Sequence, residues 1–295
     1  MSSKSKEKSI SQIVNEIQER SGIVGRTKEL RQIVLARLSS RHVVIEGTVG
    51  VGKTTLAQAV ANYFDQGFIR IDGDERYTEA KLVGHFEPPL VVKNGWTRDS
   101  FVGGPLTKAM ENGSVLFINE ANRLIEGTQN VLLPALDEGI VTLPKLSPVL
   151  AKDGFFVVAT QNPESYIGTT VLSEALKDRF VWVKLDRQTY DDELSIVMHA
   201  AQVKNKLKIA EIATKVCRST RGHAEIRRGA SVRGAIDFAK ILNLIDDLSI
   251  ENVLEIAIMS LATKIELEDG VDRTIEEVIE EVLEKVMSGE EEEFF

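Results

Sequence analysis

The stretch Gly47-Thr48-Val49-Gly50-Val51-Gly52-Lys53-Thr54-Thr55 constrains the fold of this chain more than any other. It carries a glycine, four free positions and then Gly-Lys-Thr, the phosphate-loop pattern. That pattern has mechanical content only between a strand and a helix. Val43-Val44-Ile45 is a short β-branched run suited to a buried parallel strand, and Leu56 to Phe64, with Ala57, Ala59, Val60 and Ala61, is a good helix former. The glycines let backbone N–H groups turn inward around phosphate oxygens, and the helix N-terminus adds partial positive charge. Lys53 is then placed to reach the β- and γ-phosphates, and the Thr54 hydroxyl to ligate Mg²⁺. A glycine-rich turn that binds nothing is the bland alternative, and the flanking strand and helix weigh against it. The loop implies a nucleoside triphosphate site.

The rest of the chain is read around this loop. Its 295 residues are enough for one large domain and a smaller one. A net charge of −9 argues against an extended basic face for nucleic acid. The polar opening Met1 to Lys8 has no apolar stretch behind it and does not read as a secretory signal. No run approaches the ~18 apolar residues of a membrane span. The single cysteine, Cys217, suits a reducing compartment, so a cytoplasmic location is expected, and its apolar neighbours make it a core residue. His42, His85, His199 and His223 show no metal-ligand spacing.

In chain order, Ile10, Ile13, Val14 and Ile17 form one helical stripe, and a second helix follows with Thr27 as its N-cap. Phe68 to Ile71 reads as the second strand. Leu90 to Arg98, centred on Asn94-Gly95, reads as a hairpin, since Asn-Gly is the strongest short hairpin signal. Ser114 to Ile118 is the next buried strand and runs into Asn119-Glu120; Gly139 to Leu143 with Pro144 and Pro148 reads as a second hairpin. Phe155 to Thr160 and Phe180 to Val183 complete the strands. Strands alternating with helices behind a phosphate loop mean an α/β fold with a parallel sheet. After Leu185 strands stop and helices take over. The last helix opens on a Thr274–Glu277 capping box. The expected organisation is a nucleotide-binding domain over 1–187, a helical lid domain over 188–288 and an acidic tail over 289–295.

Ligands of such sheets bind beyond the carboxyl ends of the strands. Glu120 is placed there to orient or deprotonate an attacking water, and Asn162 to hold that water or the γ-phosphate. Each residue alone also fits a plainer role, Glu120 as a helix N-terminal acid and Asn162 as a turn former before Pro163.

The order of these features resembles the AAA+ ATPases: phosphate loop, a strand ending in Asn119-Glu120, Asn162-Pro163 after a strand, and Glu174-Ala175 followed by Asp178-Arg179-Phe180. Val115 to Arg123 with Leu132-Leu133-Pro134-Ala135-Leu136, Ala159 to Pro163, and Gly229-Ala230-Ser231-Val232-Arg233 are similar to the MoxR group within them. The likeness spans roughly residues 20–285. It implies strand order 5-1-4-3-2, a helical lid, and a ring, usually hexameric, with ATP at subunit interfaces. It further implies Glu120 as the Walker B acid, Asn162 as sensor 1, Arg179 as an arginine finger and Arg233 as the sensor 2 arginine. Ile23-Val24-Gly25-Arg26 matches the stretch lining the adenine pocket, with Val24 and Gly25 as contacts. The hairpin at Asn94-Gly95 resembles the helix-2 insert and the one near Pro144 the pre-sensor-1 hairpin. A guanidinium keeps its charge and grips phosphate oxygens at two points, and fingers of this kind are worth about 10³–10⁵ in rate. A salt bridge to Asp178 for Arg179, and a solvated basic stretch with Arg218, Arg221, Arg227 and Arg228 for Arg233, stay open as alternatives.

Asn119 departs from the family, which carries an aspartate there. An amide offers an oxygen to a Mg²⁺-bound water without the negative charge that helps hold the ion. Weaker Mg²⁺ affinity and slow turnover are expected, with nucleotide binding kept. Functionally the resemblance implies an ATP-driven remodeller of protein clients with a von Willebrand A-domain partner. Trp96 and Phe101 are candidates for client contact, packing on the hairpin's own base being the alternative. A nucleotide-gated binding module that hardly hydrolyses ATP is a second reading; a DNA-associated motor is a third, disfavoured by the acidic balance.

Overall fold

The computed structural model describes residues 8–162, 172–203 and 206–289. The polar start over 1–7, Pro163 and the acidic tail from 290 lie outside the described residues. The chain divides into two compact units, one of residues 1–48 with 52–186, the other of 49–51 with 187–295.

The first unit opens with α1 (Ile10–Ser21), whose Ser9–Gln12 capping box fixes its start and whose Ile13, Val14 and Ile17 are buried. In α2 (Thr27–Leu38) the cap is not Thr27. Arg26 takes that place in a left-handed backbone, φ 60°, and pairs with Glu29 at 2.9 Å, so Thr27 is the first helical residue. There follow β1 (His42–Gly47), α3 (Lys53–Tyr63), β2 (Phe68–Asp72) and α4 (Glu79–Val83).

The expected Asn-Gly hairpin is not formed. Instead β3 (Gly84–Phe86) and β4 (Phe101–Gly103) pair antiparallel, and α5 (Pro88–Asn94) stands between them. Two prolines at the first helical positions are pre-set for a helix start, and Gly95, φ 73°, ends the helix rather than turning a hairpin. Next come α6 (Pro105–Asn112), β5 (Val115–Asn119) and α7 (Glu126–Asp137). The short strands β6 (Ile140–Val141) and β7 (Val149–Leu150) form the second hairpin. The unit closes with β8 (Phe156–Gln161), α8 (Glu174–Lys177) and β9 (Phe180–Leu185).

Five strands form one parallel sheet in the order β2-β5-β8-β1-β9. Numbered as the five strands of the core, that order is 5-1-4-3-2 from the β9 edge. The inner strands are near-continuous apolar runs because both faces are covered: Val43, Ile45, Leu116, Phe117, Val157 and Val158 are fully buried.

The second unit packs α9 (Tyr190–Ala200), α10 (Leu207–Gly222), α11 (Val232–Leu242), α12 (Ile250–Leu261) and α13 (Ile275–Ser288) around Val216, Cys217, Phe238, Val253, Ala257 and Val278. Strands do not stop at Leu185, however. β10 (Ile226–Arg228) and β11 (Glu266–Leu267) make a small antiparallel ribbon at the foot of these helices. Burial pushes the Cys217 thiol up to about 12, which leaves it an inert core residue. Among the described residues, no helix is long and apolar enough to cross a membrane.

Candidate active site

The site is built where three parallel strands end side by side. Glu46 of β1 pairs with Gln161 of β8, so Gly47 and Asn162 leave the sheet next to each other. Ile118 of β5 pairs with Ala159, which sets Asn119 beside Thr160. Gly50 (φ 83°) and Gly52 (φ 96°) take the left-handed backbone that bends a loop around an anion, and α3 begins at Lys53. Nothing lies within 4 Å of where a Gly52 side chain would be. The Lys53 ammonium donates to the carbonyls of Gly47 at 2.6 Å and Thr48 at 2.9 Å, so it lies across the base of the loop. Thr54 is half-buried and Thr55 exposed at the start of α3; Thr48, Val49 and Val51 complete the loop. Positive-φ glycines, a helix N-terminus and a lysine over the loop are a donor set that fits phosphate groups.

Glu120 follows β5 in a left-handed backbone, φ 52° and ψ 51°, and its carboxylate meets the Arg123 guanidinium at 3.0 Å. Its backbone N–H donates to Thr160 Oγ1 at 2.9 Å. The Thr160 hydroxyl donates in turn to Asn119 Oδ1 at 3.1 Å, and Asn119 Nδ2 donates to Asp72 Oδ1 at 2.8 Å. Arg70 beside Asp72, 2.6 Å away, holds that carboxyl below the usual carboxylate range. For a divalent cation the fit is partial. Thr54 offers a neutral hydroxyl, and the Asn119 amide has both polar atoms engaged along the strand ends, so the negative charge around such an ion falls to the nucleotide. Asn162 is buried at the end of β8.

The other expected residues have these surroundings. Arg179 does not pair with Asp178. Its Nε donates to Asp137 Oδ2 at 2.6 Å, at the end of α7, and Nη1 donates to the Ala175 carbonyl. Val24 and Gly25 are half-buried before α2, where Gln18 Nε2 donates to the Gly25 carbonyl at 2.5 Å. Arg233 is exposed at the second position of α11 in the second unit. Of the arginines near it in sequence, Arg227 and Arg228 are exposed as well, and Arg218 and Arg221 are not. Arg221 and Arg218 turn inward to Glu193, at 2.7 Å and 3.4 Å, while Arg227 and Arg228 pair with Glu266. Phe101 is buried, and Phe86 stacks edge-on against both Trp96 and Phe101, so packing within the insert accounts for Phe101, while Trp96 stays half-exposed. Ligand atoms of His223, Glu225 and Glu281 come within 4.8 Å of one another, which spacing in sequence did not suggest, but Arg273 bridges both carboxylates and Lys285 pairs with Glu281, so two cations already balance the two acids.

Asp72, Thr160 and Arg123 were not singled out in sequence. The signal for Asp72 is the strand order, which sets the end of β2 beside the end of β5.

Residues 42–180 match the model of the AAA domain family, dynein-related subfamily. The gas vesicle ATPase GvpN of Haloferax mediterranei is 31% identical over 80% of this chain and 74% of its own length. The chain is an AAA+ ATPase of the GvpN/MoxR-like type. GvpN2 of Halobacterium salinarum, also a gas vesicle ATPase, is 30% identical over 79% of this chain and 71% of its own. Among solved structures, RuvB of Thermotoga maritima superposes with a TM-score of 0.52 at 20% identity, covering 89% of this chain and 70% of that one, a likeness of fold.

Proposed function

We propose that this AAA+ ATPase binds ATP with Mg²⁺, hydrolyses it slowly as a ring, hexameric by family resemblance, and uses the cycle to remodel client proteins. The observation that carries the reading is the glycine loop with Lys53 at the head of α3, beside strands that end in Glu120 and Asn162. Backbone N–H groups of the loop and the Lys53 ammonium bind the β- and γ-phosphates; on binding, Lys53 exchanges the Gly47 and Thr48 carbonyls for phosphate oxygens. Thr54 would hold Mg²⁺, which when bound spreads the charge of the transferred phosphoryl group, and Asn119 would reach it only through water. Glu120 orients the attacking water and accepts its proton, and Asn162 holds the γ-phosphate side of that water. Arg179 of a neighbouring copy and Arg233 of the helical unit supply the remaining positive charge, with Val24 and Gly25 against the base.

Remodelling of protein clients and a von Willebrand A-domain partner rest on the family resemblance, and a cytoplasmic location on the single cysteine, Cys217. The neutral Asn119 favours a second reading, a nucleotide-gated binding module with little hydrolysis. A DNA motor has less support, since the likeness to RuvB is one of fold and the net charge is −9.

ATP affinity and phosphate release of two variants test the proposal. Lys53→Ala is expected to lose ATP binding by about 100-fold, as expected when a charge-assisted phosphate contact is removed. Glu120→Gln is expected to bind ATP as before and release almost no phosphate. Undiminished ATP affinity in Lys53→Ala overturns the reading, and undiminished hydrolysis in Glu120→Gln removes the role of Glu120.

A further inference from the structure

Three strands contribute to a hydrogen-bond chain that runs in one direction across their ends. The Glu120 N–H donates to Thr160 Oγ1, the Thr160 hydroxyl to Asn119 Oδ1, and Asn119 Nδ2 to Asp72 Oδ1, at 2.9, 3.1 and 2.8 Å. The junction leaves no slack. Thr160 is fully buried, the Gly73 N–H donates to the Asn119 carbonyl at 2.7 Å, and a side chain on Gly73 would come within 2.1 Å of the Glu120 carbonyl.

The middle position of such a chain needs a group that donates at one end and accepts at the other. An amide does both, whereas an ionised carboxylate only accepts. An aspartate at 119 would still receive the Thr160 hydroxyl, but it would face Asp72 with two acceptors and two like charges at hydrogen-bond distance. Asp72 and Asn119 are therefore a matched pair carrying one negative charge, located on β2 rather than β5. At the other end of the chain stands Glu120, a non-glycine residue in a left-handed backbone, a conformation that persists only where its surroundings hold it.

We propose that Asp72, Asn119 and Thr160 form a positioning relay that fixes the backbone of Glu120, and that Asn119 stands in this chain as the two-sided link of that relay, with Asp72 supplying the carboxylate. The inference rests on the reading of Glu120 as the water-orienting residue and adds the residues that aim it. Buried Thr160 and exposed Asp72 act through Asn119 and the Glu120 backbone and are positioning residues.

The experiment has two arms. In the first, the full chain is melted without nucleotide or Mg²⁺ as wild type, Asn119→Asp, Asp72→Asn and the double exchange. Asn119→Asp is expected to melt several degrees lower and the double exchange to recover at least half of that loss, because donor and acceptor are restored with their positions reversed. Shifts that add, with no recovery, overturn the relay. In the second arm, Thr160→Val is expected to lower kcat about tenfold with ATP affinity within about twofold of wild type, while Thr160→Ser, which keeps the hydroxyl, stays within about twofold in both. Undiminished kcat in Thr160→Val, or an equal fall in Thr160→Ser, overturns the positioning role. The first arm reads the relay in the empty protein, so failure of the ATPase reading, seen as absent ATP binding by the wild type, is distinguishable from failure of the relay.

Discussion

At the scale of single residues, His42 shows how burial sets a charge state. It lies 7% exposed at the start of β1, and its Nδ1 accepts the Val157 N–H at 3.0 Å, which requires a neutral ring. Burial pulls its pKa down from 6.5 to about 4, with the Leu136 backbone opposing. The unfolded chain therefore binds the proton first. Stability held by the neutral ring is complete above about 6.5 and is lost as pH falls toward about 4, by an amount on the order of 3 kcal/mol. Melting temperature against pH checks this: wild type is expected to lose stability steeply over that window, and His42→Asn, which keeps an acceptor but cannot charge, to lose the His42 share of the slope. Equal slopes would show that His42 carries no coupled proton. Nothing in the sequence marked His42, because its partner is a backbone group 115 residues away. The phosphate loop was legible because its glycines and lysine act through local backbone geometry. Asp72 and Thr160 were not, because their meaning comes from strands adjacent in the sheet and distant in the chain.

At the scale of elements, the insert after β2 shows how a strong local signal is overridden. Asn94-Gly95 has hairpin chemistry, yet Pro88-Pro89 starts a helix that leaves Gly95 to cap it, and pairing passes to β3 and β4 outside that helix. Gly84 makes this geometry: its φ is 130°, and a side chain there would come within 2.4 Å of the Val102 carbonyl. Gly84→Ala is expected to destabilise the insert by about 1–3 kcal/mol while leaving the parallel sheet intact. Trp96 reports on it, since its ring packs on Phe86 and lies under the Lys145 ammonium, 3.9 Å away. In a Trp182→Phe background, Trp96 emission is expected to shift toward that of exposed tryptophan in Gly84→Ala, with ATP affinity unchanged. Unshifted emission would show that Gly84 is replaceable. The capping box of α13 was more legible than the insert: Thr274 and Glu277 satisfy each other's backbone as the sequence implied, because both partners lie within one turn, whereas the cap expected at Thr27 fell to Arg26.

At the scale of the whole molecule, alternating strands and helices behind a phosphate loop made a parallel sheet legible, whereas the order of its five strands came from the resemblance to the AAA+ ATPases, which the sheet bears out. What no single chain contains is a second copy, and Arg179 is where that bears on turnover. Its guanidinium is held by Asp137 of its own chain at 2.6 Å, with both side chains partly exposed. Such a pair is worth about 0–1 kcal/mol, so a neighbour's triphosphate, with more charge and bidentate geometry, can displace it. If Arg179 completes a neighbour's site, turnover per protomer must rise with protein concentration and then level off as assembly saturates. Arg179→Ala is expected to flatten that curve at its low-concentration value with ATP affinity kept. Asp137→Ala, which frees the guanidinium, is expected to move the midpoint to lower concentration by no more than about fivefold, the equivalent of the pair it removes. Phosphate release measured across about three decades of protein concentration checks all of this. A turnover constant across that range, equal in wild type and Arg179→Ala, would mean that each protomer works alone and that Arg179 serves only to tie the start of β9 to the end of α7.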